Sequence, residues 1–240
     1  MSVAQEAAYL GDFPIAAEAT SAARLAFIRK TYAHLTAAVF AFVAIEAILF
    51  NTPIAQTLIP SLFSGYGYLI VFVAFIFVSY LAQRWAQSAT SVRTQYMGLG
   101  LYVVAESIIF LPILYIANLR GGANIILTAA LLTLLLFTAL TVTVFVTRKD
   151  FSFLRAALGI GSIAALGIMV LGIIFGFNLG LGFVAAMLCL ACGYVLYDTS
   201  NVLHHYRVGQ HVAASLALFA SIALMFWYVL RLLMILQDRR

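Results

Sequence analysis

A chain of 240 residues that is 65% hydrophobic and 9% charged cannot cover a water-facing surface, which in soluble domains takes about a quarter charged residues. Its net charge of +5 comes from basic residues scattered at the ends of apolar stretches. That scatter excludes a nucleic-acid-binding patch and fits the solvated flanks of membrane spans. Several stretches exceed the ~18–20 apolar residues needed to cross a ~30 Å hydrocarbon core. The ~10-residue alternating segments of a transmembrane barrel are absent. The expected fold class is therefore all-α, a polytopic membrane protein.

Residues 1–25 form a polar to small N-terminal tail with Glu6, Asp12, Pro14 and Glu18. No basic segment precedes an apolar core there, so a cleavable signal peptide is not expected. The tail reads as mobile up to about residue 23, leading into an interfacial helix through Arg24, Arg29 and Lys30. The remaining 26–240 form one seven-helix transmembrane domain. Span one covers about 31–51, with His34 near its start and Glu46 near its end. An uncharged loop with Pro53 and Pro60 leads to span two, about 66–84, closed by Arg84.

Span three, about 95–117, carries Glu106 and a proline, Pro112, where a kink is expected because the backbone donor is lost. A turn over Asn118–Gly122 leads to span four, about 123–146. The most charged loop, Arg148 to Arg155, precedes span five, about 156–176, whose Gly159, Gly161, Gly167 and Gly172 would let helices approach closely. Span six covers about 181–203 and span seven about 212–236, joined by a loop holding His204, His205, Arg207 and His211. No internal repeat is evident.

Lysine and arginine counts set the topology. Nine lie in the N-terminal segment and in the loops that share its side, against three on the other, with Arg231 inside span seven. The N-terminus is thus expected in the cytoplasm and the C-terminus outside. Cys189 and Cys192 lie in an apolar helix with no second ligand pair, so they read as small packed residues.

Glu46, Glu106 and Asp198 are the acidic residues that fall inside apolar spans. A carboxyl placed there marks a functional site by default unless it is paired or wetted. Glu46 falls toward the outer end of span one and Glu106 near the middle of span three. Asp198 lies about five residues, or ~7–8 Å, from the inner end of span six. Outer, middle and inner carboxyls are what a proton or cation route requires. Burial and a neighbouring guanidinium act on carboxyl ionisation in opposite directions, so such a group can be set to titrate near cytoplasmic pH. Arg84, on the same expected side as Asp198, is the candidate counter-ion. The histidines after Asp198, His204, His205 and His211, would suit pH sensing, but a solvated loop is the preferred reading of them.

Enzyme classes with seven spans do not fit. A retinal protein needs a lysine in its last span, and the lysines here are Lys30 and Lys149. A rhomboid-type protease needs a deep histidine, and a two-aspartate intramembrane protease a second deep aspartate; neither is present. No enzymatic activity and no cofactor are expected.

Four segments together resemble the Bax inhibitor-1 (transmembrane Bax inhibitor motif) family. They are Phe27-Ile28-Arg29-Lys30-Thr31-Tyr32, Leu111-Pro112-Ile113-Leu114, Lys149-Asp150-Phe151-Ser152 and, most specific, Gly193-Tyr194-Val195-Leu196-Tyr197-Asp198-Thr199. The resemblance covers the chain from about Ala26 and is to a bacterial member. It implies seven helices with the last at the centre of the bundle. It also implies a pH-sensitive calcium leak latched by two aspartates, one in span six and one in span seven. Asp198 matches the first. In span seven the family pattern is Tyr-x-Asp-x-x-Asn-x-Phe-x-x-x-x-Arg, and the matching run is Phe219 to Arg231. Ser221 stands at the second aspartate and Leu224 at the asparagine.

A serine offers a hydroxyl and no charge, so an Asp198–Ser221 pair is a single-carboxylate site. Calcium, which takes six to eight oxygens, would be held weakly at Asp198. Two functions are then expected. One is a pH-sensitive cation (calcium) leak gated by protonation around Asp198, with Ser221 and Arg84 at the gate and Glu46 and Glu106 along the ion route, attenuated by the missing aspartate. The other is a non-transporting regulator that binds a membrane AAA protease, or another membrane protein, through its N-terminal tail, as the resemblance implies for some members. In either case the expected partners are the lipid bilayer and, for the leak, calcium or protons. The expected location is the bacterial cytoplasmic (inner) membrane.

Overall fold

The computed structural model describes residues 13–53, 59, 67–88, 91–177 and 179–238. Seven long helices account for most of these residues. Thr20 opens α1 (Ser21–Phe50): its hydroxyl accepts the Ala23 N–H at 3.3 Å, satisfying one of the free donors of the first turn. Asn51 closes the helix, its side-chain amide donating to the Ala47 carbonyl at 2.8 Å. The helix therefore begins ten residues before the apolar span, because the cap at Thr20 lets it run straight through Arg24, Arg29 and Lys30. Its buried stripe, Phe27, Thr31, Leu35, Ala38 and Glu46, follows the 3.6-residue period.

Helix α2 is Gly67–Ala86. The next run, Val92–Thr147, is broken at Gly122 into α3 (92–121) and α4 (123–147). The turn expected over Asn118–Gly122 falls at its last residue: the helix keeps its turns through Asn118, Leu119 and Arg120, and the non-helical residue inside the run is Gly122, with φ 63° and ψ −165°. Pro112 lies inside α3. Only glycine occupies that region readily.

Arg148 at φ 51° ends α4. After the loop come α5 (Leu154–Phe175), α6 (Leu181–His204) and α7 (His211–Gln237). Gly176, with φ 69°, terminates α5 in the left-handed conformation common at helix C-termini. Among the described residues six stretches, Val92–Thr147 among them, are long and apolar enough to cross a membrane, and the Gly122 break divides that one into two helices. In α7, 56% of the apolar window is buried, against 11–22% in the others. Leu216, Leu218, Ser221, Met225, Val229 and Leu230 point in all directions round the helix and are all buried, so α7 is the enclosed one.

The chain divides into two compact units. One takes residues up to Ile116 together with His205–Phe219; the other takes Ala117–His204 and Ala220–Arg240. In the first unit, contacts climb α1, α3 and the start of α7 in the same order. His34 meets Tyr96 and His211, and further along Phe42 meets Phe110 and Phe219. The three helices therefore run parallel there. In the same unit, Ile15 bridges Arg207, Ala16 N–H donates to the Tyr206 carbonyl at 2.8 Å, and Arg207 Nη1 donates to the Phe13 carbonyl at 2.9 Å. Arg24 caps the carbonyls of Ala16 and Ala17. The tail expected to be mobile as far as residue 23 is thus anchored from Phe13 onward, and residues 1–12 lie outside the described residues.

In the second unit, α5 and α6 lie against each other. A Cβ on Gly161 would sit 2.8 Å from Leu190 Cδ1, and one on Gly193 2.8 Å from Leu158 Cδ2, so a side chain at either position would have to turn a leucine end aside. Gly159 and Gly167, expected to act likewise, face open space. Replacing Gly122 by Ala is expected to lower stability by about 1–3 kcal/mol, because alanine must occupy a glycine-only region. Gly159→Ala, with open space at the site, is expected to show no loss. Thermal unfolding of the two variants in detergent checks the contrast.

Candidate functional site

The site lies in the second unit, where the apolar run of α6 gives way to Asp198, Thr199 and Ser200. All three are buried, Asp198 to 8% exposure. Successive residues on a helix diverge by about 100°, so they address different neighbours. Asp198 turns to α7, where the Ser221 hydroxyl, itself 3% exposed, donates a short hydrogen bond to Asp198 Oδ2. The pairing expected of the two family positions is therefore present, with a hydroxyl where the second carboxyl would stand. Thr199 Oγ1 is buried and has no hydrogen-bond partner among the described residues.

Ser200 turns to the α4–α5 loop. Its Oγ accepts the Phe151 N–H at 2.9 Å and donates to Asp150 Oδ1 at 3.3 Å. The same Asp150 oxygen accepts the Ser152 N–H at 2.8 Å, an Asx turn that fixes the carboxyl in place. One turn further on, His204 Nδ1 donates to the Ser200 carbonyl at 3.0 Å. The last two turns of α6 are thus held on one side by α7 through Ser221 and on another by the loop through Asp150. Sequence reasoning missed the second tie. Its signal was the Asp150-x-Ser152 spacing of an Asx turn, but no spacing points to Ser200, fifty residues away.

The other expected site residues lie in the first unit. Glu46 is buried, and neither carboxyl oxygen has a hydrogen-bond partner among the described residues. Glu106 is buried with the Tyr102 side chain as a hydrogen-bond partner. Arg84 is exposed, its guanidinium 5.5 Å from the centre of the Tyr80 ring one turn before it. His211 does not cluster with His204 and His205. It opens α7 and packs against His34, ring centres 5.0 Å apart. His34 Nδ1 donates to the Lys30 carbonyl at 2.6 Å, which leaves Nε2 of the neutral ring to accept from the Tyr96 hydroxyl at 2.8 Å. This second polar cluster joins α1, α3 and α7.

At Asp198 the donor set is one carboxyl and one hydroxyl. Such a site can take up and release a proton while the hydroxyl stays in place as donor. Calcium takes six to eight oxygens, more than this pair alone supplies. No group of three or more His, Cys, Asp or Glu side chains suited to a metal occurs among the described residues.

Residues 24–238 match the family model described as inhibitor of apoptosis-promoting Bax1. The chain is 29% identical to Bax inhibitor 1 of Schizosaccharomyces pombe over 227 residues, covering 92% of this chain and 81% of that protein. It is 31% identical to Protein LIFEGUARD 4 of Arabidopsis thaliana over 211 residues, covering 85% and 82%. It is also 27% identical to an uncharacterized protein of Pseudomonas aeruginosa over 159 residues, covering 66% and 68%.

Removing the donor from Asp198 leaves a buried carboxyl unpaired, so Ser221→Ala is expected to destabilise the protein by about 1–3 kcal/mol. Ser221→Thr, which keeps the hydroxyl, is expected to recover most of that loss. Thermal midpoints of the purified variants in detergent check both, and equal midpoints for wild type and Ser221→Ala contradict the assignment.

Proposed function

The chain belongs to the Bax inhibitor-1 family, and from that membership we propose that it is a pH-modulated cation leak, with calcium as the transported ion and Asp198 as the group whose protonation gates it. The observation that carries this reading is the bond from Ser221, on the enclosed helix α7, to the buried Asp198 carboxyl on α6. A carboxyl has no inexpensive place in an apolar helix unless it is paired, and its one donor sits on a different helix. Loss or gain of a proton at Asp198 changes the strength of the α6–α7 tie, because a charged acceptor makes roughly twice as strong a hydrogen bond as a neutral one. The gate in this reading is therefore a change in how α6 and α7 are held together.

Glu46 and Glu106 serve as further stations along the ion route, and Arg84 as a charge near its cytoplasmic end. The protein acts without catalysis, in the bacterial cytoplasmic membrane, with its N-terminus in the cytoplasm and its C-terminus outside. With one carboxyl at the latch, the leak is weaker than one governed by two coupled carboxyls, which share a proton and titrate as a pair.

Calcium entry into sealed proteoliposomes across pH 6–8 tests the reading with wild type, Asp198→Asn and Ser221→Asp. Wild type is expected to conduct above empty vesicles, with a pH dependence that Asp198→Asn abolishes. Ser221→Asp is expected to conduct more. A silent wild type beside a conducting Ser221→Asp overturns the leak for the natural sequence.

The single-carboxyl latch also favours a second reading, a regulator that binds a membrane protease or other membrane protein through its N-terminal tail. Phe13–Ala17 are anchored to Arg207 and Arg24, so this reading assigns partner binding to the part of the tail before them, residues 1–12. Deleting 1–12 is expected to abolish co-purification with a membrane AAA protease while ion flux stays at the wild-type level. Unchanged co-purification removes this reading.

A further inference from the structure

The first unit holds two buried carboxyls that the Asp198 latch does not use, and an aromatic cluster occupies the interval between them. On α1, Glu46 lies one turn beyond Phe42; on the parallel α3, Glu106 lies one turn before Phe110. Residues four apart share a helix face, so each acid lies on the face of its helix that carries the ring. Phe42 and Phe110 meet edge to face with centres 5.2 Å apart. Phe219 of α7 meets Phe42 at 6.1 Å and Tyr102 at 6.1 Å, both edge to face. Tyr102 is the hydrogen-bond partner of Glu106. The rings thus form an unbroken series from the partner of one acid to within one turn of the other. At four residues on either side of the ring pair, the acids are separated by ~12 Å along the helices.

We infer that Phe42, Phe110 and Phe219 form a dry aromatic plug between two ion-handling carboxyls, Glu46 and Glu106, with Tyr102 on the far side of Glu106. Glu46 points to a ligand because it is 6% exposed with both oxygens unpartnered among the described residues. With no donor among the described residues, a carboxyl so placed is suited to take a proton or a desolvated cation. Apolar rings at a constriction oppose passage by excluding water. This rests on the leak reading and deepens it by placing a second barrier apart from the Asp198 latch.

The test uses full-length protein in sealed vesicles, with enclosed dyes reporting proton and calcium entry. Phe42, half-buried at the edge of the plug, is the residue to truncate. Phe42→Ala is expected to raise proton or calcium entry roughly tenfold, a barrier change of ~1.4 kcal/mol. Phe42→Trp is expected to leave entry at the wild-type level, and adding Glu46→Gln to Phe42→Ala is expected to remove the gain. Phe42→Leu, checked for a near-wild-type thermal midpoint, replaces Phe42→Ala if the latter unfolds. The plug is overturned if folded Phe42→Ala and Phe42→Leu conduct as wild type, or if the gain survives Glu46→Gln. Failure of the leak reading looks different: a wild type silent at every pH, with Phe42→Ala still opening a Glu46-dependent conductance, keeps the plug. Conversely, an Asp198-dependent wild-type leak untouched by Phe42→Ala and Phe42→Leu keeps the leak and removes the plug.

Discussion

The hydrogen bond from Ser221 to Asp198 is the interaction on which the rest of this structure depends. It joins the acid at the end of the α6 apolar run to α7, the helix with the largest buried share among the described spans. Without a donor, a carboxyl at that place carries the full penalty of an unsatisfied buried polar group. With the donor, the same carboxyl becomes a tie whose strength follows its protonation. The tie is weaker than a pair of coupled carboxyls and involves one titrating group. In this chain a hydroxyl and a carboxyl form the pair.

Around that tie the second unit is built to hold α6 in place. Gly161 and Gly193 let α5 and α6 close on Leu190 and Leu158, and the Ser162 and Tyr194 hydroxyls meet at 2.8 Å across the same contact. Ser200 fastens the far side of α6 to the Asp150 turn. Any rearrangement that Asp198 controls must work against these fixed contacts. That favours small changes in α7 over wholesale movement of α6. The first unit has its own logic, in which parallel helices carry a histidine cluster at one level and an aromatic cluster with flanking acids at another.

Much of this was legible in the sequence, because hydropathy over ~20-residue windows responds to membrane thickness directly. It reports the apolar slab, however, and not the helix. Helix α1 therefore begins at Ser21, well before its apolar span, and α3 runs past Asn118 to the single break at Gly122. Asp198 stood out because an acid in an apolar run is costly, and the resemblance in span seven pointed to Ser221 as its partner. Contacts between distant polar residues had no such signature. Nothing in spacing alone pairs Asp150 with Ser200, or draws His211 away from its neighbouring histidines to His34, because both contacts are made by tertiary packing.

Infrared difference spectroscopy of the Asp198 carboxyl measures this tie most directly. A titration of wild type against Asp198→Asn isolates the C=O band of the protonated acid, and Ser221→Ala then removes the donor. If Ser221 holds Asp198, one Asp198-dependent band appears and moves to higher frequency in Ser221→Ala, as a carbonyl does when it loses a donated hydrogen bond. An Asp198 band at the same position with and without the Ser221 hydroxyl would contradict the account.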